Sequence, residues 1–411
     1  MTATVPRLRL ERVGPEATAT PLELFFDLVF VFALTQVTAF MAHHPTYGSA
    51  GRGLLVLGVL WWCWVGYAWL GNVVKADEGA CRVAMLAAMA AMFVIALAVP
   101  EAFDDAPGGL SAPYAIAAGY LVLRVIHIAT FWVFAIGNPA LRRQLLRFAA
   151  SMLTATALLT AAAAAAGDGR TALWAAALLA DYAGTYAGGA SGWHLSSAGH
   201  FAERHGLIVL VALGESIVAI GVGVGEAPLS WPVVAASILG LAVSGSLWWL
   251  YFDTGALLAE RALASCPHAD RARLARDAYS FLHLPMIAGV VLLAFGMKKV
   301  LEGVADPHGQ ELHEALGGVG LTALVLGASA FVLAQAAFYA RCVGRLKPQR
   351  LALALGLLPL LALGRELTAL ATLATLAGAL VLFVAWETRH FADARQQVRH
   401  SDHAQGTPTS H

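Results

Sequence analysis

Long apolar runs follow one another along the whole chain and constrain this sequence more than any motif does. A helix of roughly 20 apolar residues crosses the hydrocarbon core of a bilayer, where backbone must satisfy its own hydrogen bonds. Only 13% of the 411 residues are charged, against about 25% in soluble domains. The sequence predicts an all-α, polytopic membrane protein with about twelve transmembrane helices, at residues 22–42, 53–74, 82–103, 113–136, 143–166, 171–190, 203–225, 232–253, 277–301, 315–340, 348–364 and 366–386.

The distribution of basic residues predicts how the chain is oriented. The 26 lysines and arginines fall mostly in segments on the N-terminal side of the predicted membrane, and cytoplasmic loops are the ones enriched in these residues. We therefore expect a multi-pass protein of the plasma membrane with both termini cytoplasmic. The formal net charge is zero, so the bilayer is the expected partner and no nucleic acid is indicated.

The chain divides into two halves joined by a polar segment. The predicted parts are a cytoplasmic N-terminal tail at 1–20, a first six-helix half at 21–190, a cytoplasmic hinge at 191–202, a second six-helix half at 203–387 and a disordered cytoplasmic tail at 388–411. The four cysteines are scattered singly, which indicates neither a disulfide framework nor a metal site. We expect no cofactor and no metal.

The first apolar run, residues 21–38, carries ionisable side chains. Glu23 and Asp27 lie one turn apart on a helix and form one polar stripe on an otherwise aromatic segment. An ionisable group at mid-depth in a membrane helix costs roughly 2.5 to 3.5 kcal/mol on insertion scales, so it is kept where it meets a partner or a wet cavity. These two acids are therefore candidate site residues.

The fourth apolar run supplies a possible partner for these acids. Arg124 and His127 lie one turn apart on one side of that helix, at a depth that Asp27 could reach. Because an arginine is held inside a membrane mainly by a carboxylate or a wet cavity, the first contact we predict is an ion pair between Asp27 and Arg124.

Three further acids complete the set of candidates. Asp181 lies in the sixth run, Glu203 opens the seventh, and Glu215 lies about 18 Å further along that helix at 1.5 Å per residue, near mid-membrane. Glu215 is the strongest candidate for binding and releasing a proton.

Tryptophans cluster near the end of the second run, at positions 61, 62, 64 and 69. Such a cluster is typical either of an interfacial aromatic belt or of a packing wall inside a bundle. The belt is the favoured interpretation.

The two halves also match in sequence order. Placing Glu23 over Glu203 aligns Thr35 with Glu215, and the next spans then match in Leu-Trp-Trp at 60–62 and 247–249. Six spans in each half predict two parallel repeats related by an axis along the membrane normal. A homo-oligomer is left open.

Three stretches carry a resemblance to a known family. Residues 23–36 (ELFFDLVFVFALTQ), 203–207 (ERHGL) and 213–221 (LGESIVAIG) resemble the bacterial low temperature requirement protein A family. The resemblance implies a polytopic membrane protein associated with growth at low temperature, and it implies no biochemical activity or mapped site. The first helix is also similar, more weakly, to that of the endolysosomal-type potassium channels, in which this helix lines the pore. Those channels have Phe-Ser-Asp where this chain has residues 25–27 (FFD).

Three classes of function are compatible with these features. The first is a transporter or channel-like protein that moves an ion or small solute along a midplane acidic pathway. The second is a non-transporting membrane scaffold or sensor linked to low-temperature growth, in which the buried charges only fix helix register. The third, an intramembrane enzyme, is disfavoured because no nucleophile and base, and no metal cluster, are indicated; we expect no catalytic residues.

Overall fold

The computed structural model describes residues 13–190, 192–225, 227–305, 314–393 and 395–397. Within these ranges the chain is helical, and the one β-type contact is an isolated bridge between Ala315 and Thr368. The predicted tails lie partly outside the described residues, at 1–12 and 398–411. The helices are α1 (Pro21–His43), α2 (Tyr47–Val73), α3 (Gly79–Ala98), α4 (Ala112–Phe134), α5 (Pro139–Ala164), α6 (Gly167–Gly188), α7 (Ala198–Val224), α8 (Trp231–Phe252), α9 (Gly255–Ser265), α10 (His268–Leu274), α11 (His283–Val304), α12 (Gly318–Val343), α13 (Pro348–Gly356), α14 (Leu360–Leu363) and α15 (Ala369–His390).

Ten helical segments of the described chain are long and apolar enough to cross a membrane, against the twelve predicted. The two predicted spans that are not among them are 171–190 and 348–364. The first lies in α6, where Asp181 and the glycines, threonines and tyrosines around it lower the apolar character. The second is divided into α13 and α14 around Pro359, because proline lacks the N–H that continues a helix.

The chain forms two compact units. Unit 1 comprises Met1–Ile208 and Cys266–Arg276, and unit 2 comprises Val209–Ser265 and Asp277–His411. The division falls within α7, so the first turns of that helix belong to unit 1. The predicted halves meet instead at the segment 191–202.

Unit 1 is built around α2. Every residue from 56 to 74 is buried, and α2 packs against α1, α4 and α6. A helix that is apolar on all sides is a core helix. Trp61 and Trp64 stack on each other at 5.0 Å between ring centroids, and both are fully buried. The prediction of an interfacial tryptophan belt is therefore wrong, because these rings form a packing wall within the unit.

The described part of the predicted hinge packs within unit 1. Trp193 makes edge contacts with the rings of Trp69, Phe131 and Phe148. Upstream of α1, the backbone N–H of Val13 donates to the carbonyl of Val73 at 3.2 Å. Both polar segments are thus held against the helices of unit 1.

Unit 2 is held together by close approach of α11 and α12. A Cβ atom placed on Gly289 would lie 2.7 Å from the carbonyl oxygen of Gly327, and one placed on Gly296 would lie 2.6 Å from the backbone nitrogen of Leu324. Only glycine permits such spacing, and small residues are what allow membrane helices to pack backbone to backbone.

The residues that suggested a repeat lie in different environments. Glu23 is buried, whereas Glu203 is exposed. Trp61 and Trp62 are buried, whereas 42% of the surface of Trp248 is exposed. The two parallel six-helix repeats stay a prediction.

Candidate functional site

The first turn of α1 positions the two predicted acids. Thr20 caps the helix: its side chain accepts from the backbone N–H of Glu23, and the Glu23 carboxylate accepts from the backbone N–H of Thr20 at 2.9 Å. This reciprocal capping box satisfies two donors that a helix start leaves without partners. Glu23 and Asp27 are then one turn apart, and both are buried.

Arg204, in the second turn of α7, joins these two acids. Its Nη1 donates to Glu23 Oε1 at 2.6 Å and its Nη2 donates to Asp27 Oδ1 at 2.8 Å. The same Asp27 oxygen accepts from Trp64 Nε1 at 2.7 Å. The flat guanidinium group presents its donors as a fork, so one arginine can bind two carboxylates that are spaced by a helical turn.

His200 completes the cluster, and its neighbours fix where its proton lies. Asn72 Oδ1 accepts from the backbone N–H of Ser196 at 2.8 Å, so the other terminal atom of that amide is the donor, Nδ2. Asn72 Nδ2 contacts His200 Nδ1 at 3.2 Å, which makes this ring nitrogen an acceptor. The proton is therefore on Nε2, which lies 3.0 Å from Glu23 Oε2. This arrangement is that of a neutral imidazole.

With both carboxylates ionised, the cluster carries one uncompensated negative charge. Two carboxylates, Glu23 and Asp27, face one guanidinium and one neutral ring. Within the described chain, Asp27 Oδ2 is buried and accepts no hydrogen bond. Because a buried charge is costly unless it is paired and hydrogen-bonded, this oxygen is the atom of the cluster most suited to take up a proton or a cation. We call Glu23, Asp27, His200 and Arg204 the α1–α7 charge cluster.

Two glycines of α2 make room for buried charges. A methyl group on Gly71 would overlap Glu23 Oε1, and one on Gly66 would lie 3.2 Å from the His127 ring and 3.3 Å from Arg124 Nη1. The central helix of unit 1 is thus shaped around the ionic groups as well as around the aromatic ones.

A second buried ion pair lies elsewhere in unit 1. Arg124 Nη2 is 3.4 Å from Asp181 Oδ1, and Asp181 also accepts from the hydroxyl groups of Tyr120 at 2.5 Å and Ser151 at 3.2 Å. The predicted ion pair between Asp27 and Arg124 is therefore wrong. Each has a different partner, because α7 brings Arg204 to Asp27 and α6 brings Asp181 to Arg124. This second cluster is neutral overall.

The other candidates lie outside these two clusters. His127 is buried beside Arg124, with its ring 5.6 Å from that of Tyr67. Glu203 is exposed, and its carboxylate accepts from the backbone N–H of Ala19 at 2.9 Å. Glu215 is buried in unit 2. Within the described ranges no group of three or more metal-binding side chains is arranged to hold an ion.

Sequence reasoning missed four members of the site: Trp64, Asn72, His200 and Arg204. The apolar window begins at 203 and leaves Arg204 among the loop arginines, whereas α7 begins at Ala198. The helix therefore carries His200 and Arg204 in its first two turns. The signal that could have found Arg204 is its position, directly after a helix-opening acid and before an uninterrupted apolar run.

Ten apolar spans among the described residues, with buried ion pairs between helices, define a multi-pass helical membrane protein. The comparisons with known proteins agree. The model of the bacterial low temperature requirement A protein family (LtrA) matches residues 18–385, so the chain belongs to this family.

The matched range contains the whole α1–α7 charge cluster. The chain is also similar to an uncharacterized protein of Rhizobium meliloti (strain 1021), with 28% identity over 303 residues, which is 70% of this chain and 71% of that protein.

Proposed function

We propose that this protein is a transporter or channel-like protein in which the α1–α7 charge cluster binds a proton or a small cation during passage across the membrane. The single observation that carries the proposal is the buried Oδ2 of Asp27, which accepts no hydrogen bond within the described chain. Charged groups within membrane segments are expensive and mark ion pathways or proton relays. A group kept only to join helices needs no excess charge.

The chemistry of the cluster supports a cation or a proton as the species bound. Asp27 Oδ2 supplies a free carboxylate oxygen, and Arg204 blocks the approach of a second cation to the other oxygen of that group. His200 supplies a proton at Nε2 beside Glu23. Protonation of Asp27 would leave the cluster neutral, and loss of that proton would restore the negative charge.

Purified protein in liposomes tests the proposal. A trapped pH dye reports proton entry under an applied pH gradient, and parallel vesicles carry potassium or sodium gradients. We expect Asp27→Asn to lower the flux by roughly tenfold or more, equal to about 1.4 kcal/mol in the barrier. Asp168→Asn is the matched control, because Asp168 is an exposed acid of unit 1 that is not among the candidates. Wild-type flux in Asp27→Asn would refute the assignment.

Glu215 is the second carboxylate that we assign to the midplane acidic pathway. It is buried in α7, twelve residues beyond the exposed Glu203. If it takes part, Glu215→Gln abolishes flux in the same vesicles while the protein remains folded. Normal flux in this variant would confine the pathway to unit 1.

A non-transporting scaffold or sensor is the second candidate. The observation that favours it is the burial of the cluster away from solvent, since Arg204 and Asp27 are 0% and 2% exposed. In that case wild-type vesicles show no flux of protons, potassium or sodium, while Asp27→Asn still alters growth at low temperature.

The orientation is part of the proposal. We infer a plasma-membrane location with both termini cytoplasmic, supported by the bias of basic residues; an even number of spans, ten or twelve, places both termini on one side. Reporter fusions at the two termini test this orientation, and reporters on opposite sides would contradict it. A homo-oligomer stays a prediction.

A further inference from the structure

A cavity of about 360 Å³ lies in unit 2, within the size range of small-ligand sites. It is formed where the ends of α8, α12 and α15 meet the turn before α13. The wall is mostly polar or charged, with Asp253, Arg345, Lys347, Glu387 and Arg395 on it and the apolar Leu346 and Phe391 beside them.

Both acids of the cavity wall are already bound to arginines. Asp253 Oδ1 accepts from Arg395 Nη2 at 2.6 Å. Glu387 accepts from Arg350 through both oxygens, at 3.0 Å from Nε and 2.9 Å from Nη2. These carboxylates are therefore occupied, and their negative charge is cancelled.

Two cations of the wall lack such a partner. Among the described residues, neither Arg345 nor Lys347 forms an ion pair with a carboxylate. Lys347 Nζ lies 4.4 Å from the centre of the Tyr339 ring, a contact that holds the ammonium group by cation–π attraction. Burial and, to a smaller extent, nearby Arg350 lower the pKa of Lys347 to about 8. An anion beside Lys347 would relieve both effects.

The turn between α12 and α13 presents these cations. Gly344 ends α12 with φ of 74°, a left-handed conformation that glycine adopts at low cost. Pro348 begins α13, and the three residues between are Arg345, Leu346 and Lys347. Leu346 is 66% exposed and Phe391 is 37% exposed, so apolar side chains lie beside the cationic ones.

We propose that this cavity binds a phosphate-bearing anion, held by Lys347 and Arg345. Because Arg395 and Arg350 already bind the two acids, Arg345 and Lys347 leave the cavity with an excess of positive charge, which suits a phosphate-bearing anion. The fork of Arg345 and the point charge of Lys347 are the donors proteins use for phosphate. Phospholipid headgroups and soluble phosphates share this chemistry, and Leu346 and Phe391 favour the lipid because they offer contact to acyl chains.

Binding titrations on the full-length protein in a neutral detergent test the proposal. The probes are dioctanoyl phosphatidylglycerol, dioctanoyl phosphatidylcholine and inorganic phosphate, followed by thermophoresis. Lys347→Gln and Arg345→Gln should each weaken phosphatidylglycerol binding about tenfold, the loss of one charged hydrogen bond. Arg345 is exposed, so its variant keeps the fold. The matched control is Arg341→Gln, which removes a cation from the same end of α12 but lies outside the cavity and pairs with Asp277.

The outcomes separate the two sources of phosphate. Saturable phosphatidylglycerol binding that inorganic phosphate displaces, with weak binding of the zwitterionic lipid, assigns the cavity to an anionic lipid headgroup. Binding of inorganic phosphate alone assigns it to a soluble phosphate. The proposal is overturned if neither probe binds, or if Arg341→Gln weakens binding as much as Lys347→Gln does. None of these residues belongs to the α1–α7 charge cluster, so the result is independent of the flux measurements.

Discussion

Arg204 of unit 1 and Arg350 of unit 2 are buried arginines that bind carboxylates, and they do so differently. In unit 2, Arg350 binds one carboxylate through two nitrogens and donates its remaining bonds to the carbonyl of Leu250 at 2.9 Å and to Gln335 Oε1. In unit 1, Arg204 divides its two terminal nitrogens between two carboxylates, and its Nε is buried with no hydrogen-bond partner in the described chain.

The difference separates an ion pair that only fixes helix positions from a cluster that is a candidate functional site. The pair of Arg350 and Glu387 is charge-balanced and nearly saturated with hydrogen bonds, as a group that only fixes helix positions should be. The cluster around Arg204 is neither balanced nor saturated. Buried ion pairs are weak evidence for stability in general, so the proposed function rests on the unpartnered Asp27 oxygen of the cluster.

Replacing either of these two arginines is expected to change the stability of the protein most. Breaking a buried pair typically costs about 3 to 5 kcal/mol because an unpaired charge remains. Arg350→Met leaves one acid unpaired and should fall within this range, whereas Arg204→Met leaves two and should cost more. Unfolding by increasing fractions of sodium dodecyl sulfate in mixed micelles measures both. Equal losses of stability in the two variants would contradict the difference drawn between Arg204 and Arg350.

Substitution of Gly71 tests whether unit 1 is shaped around its acids. Gly71→Ala places a methyl group on Glu23 Oε1, and such overpacking costs about 1 to 3 kcal/mol. A methyl group on Gly245 of α8 would have no atom within 4 Å, so Gly245→Ala should stabilise the protein slightly through helix propensity. The same micelle titration compares them, and a tolerated Gly71→Ala would show that Glu23 moves freely.

Neutralising one acid in each unit sharpens the comparison further. Glu387→Gln replaces an oxygen that binds Arg350 and should cost roughly 1.5 to 3 kcal/mol, the usual worth of a hydrogen bond to a charged group. Asp27→Asn keeps Oδ1 for Arg204 and Trp64 and replaces only the unpartnered oxygen, so it should cost less than about 1 kcal/mol. A larger loss in Asp27→Asn than in Glu387→Gln would mean that the negative charge is structural.

The last expected effect is a pH dependence contributed by Lys347, confined to alkaline pH. Burial and, to a smaller extent, Arg350 lower its pKa from 10.5 to about 8, with Glu387 and Asp253 opposing. Below about pH 8 the buried charge weakens the fold. Between pH 8 and 10.5 the folded protein has released a proton that the unfolded chain still binds, so stability rises with pH. Lys347→Met should flatten this rise in phosphate-free micelle titrations at several pH values; an unchanged slope would contradict it.

The length of each apolar run predicts the positions of the helices well, but it predicts poorly which ion pairs those helices form. The first predicted span, 22–42, matches α1 to within one residue at each end, because span length is set by the bilayer. The predicted contact between Asp27 and Arg124 rests on depth alone. Depth is a one-dimensional property, whereas the contact depends on which helices pack together, and that is set by features such as Gly66 and Gly71 on α2.

The tryptophans show the same limit. In the sequence, Trp61 and Trp64 lie toward one end of the predicted span, where an interfacial belt is common. Whether a ring faces lipid or protein, however, depends on how many helices surround α2. Burial from 56 to 74 on every face is a property of the assembled unit and has no signature in an apolar sequence.

Glu23 performs two tasks with one carboxylate: Oε2 closes the capping box at Thr20, and Oε1 holds Arg204. If the cluster binds a proton or ion as proposed, a shift of that carboxylate toward it also loosens the opening turn of α1 and the stretch of backbone that leads to it. The fluorescence of a dye attached at Thr18 would then change when the cluster binds a proton or ion. This signal would report binding in unit 1 without the bound species having to be known.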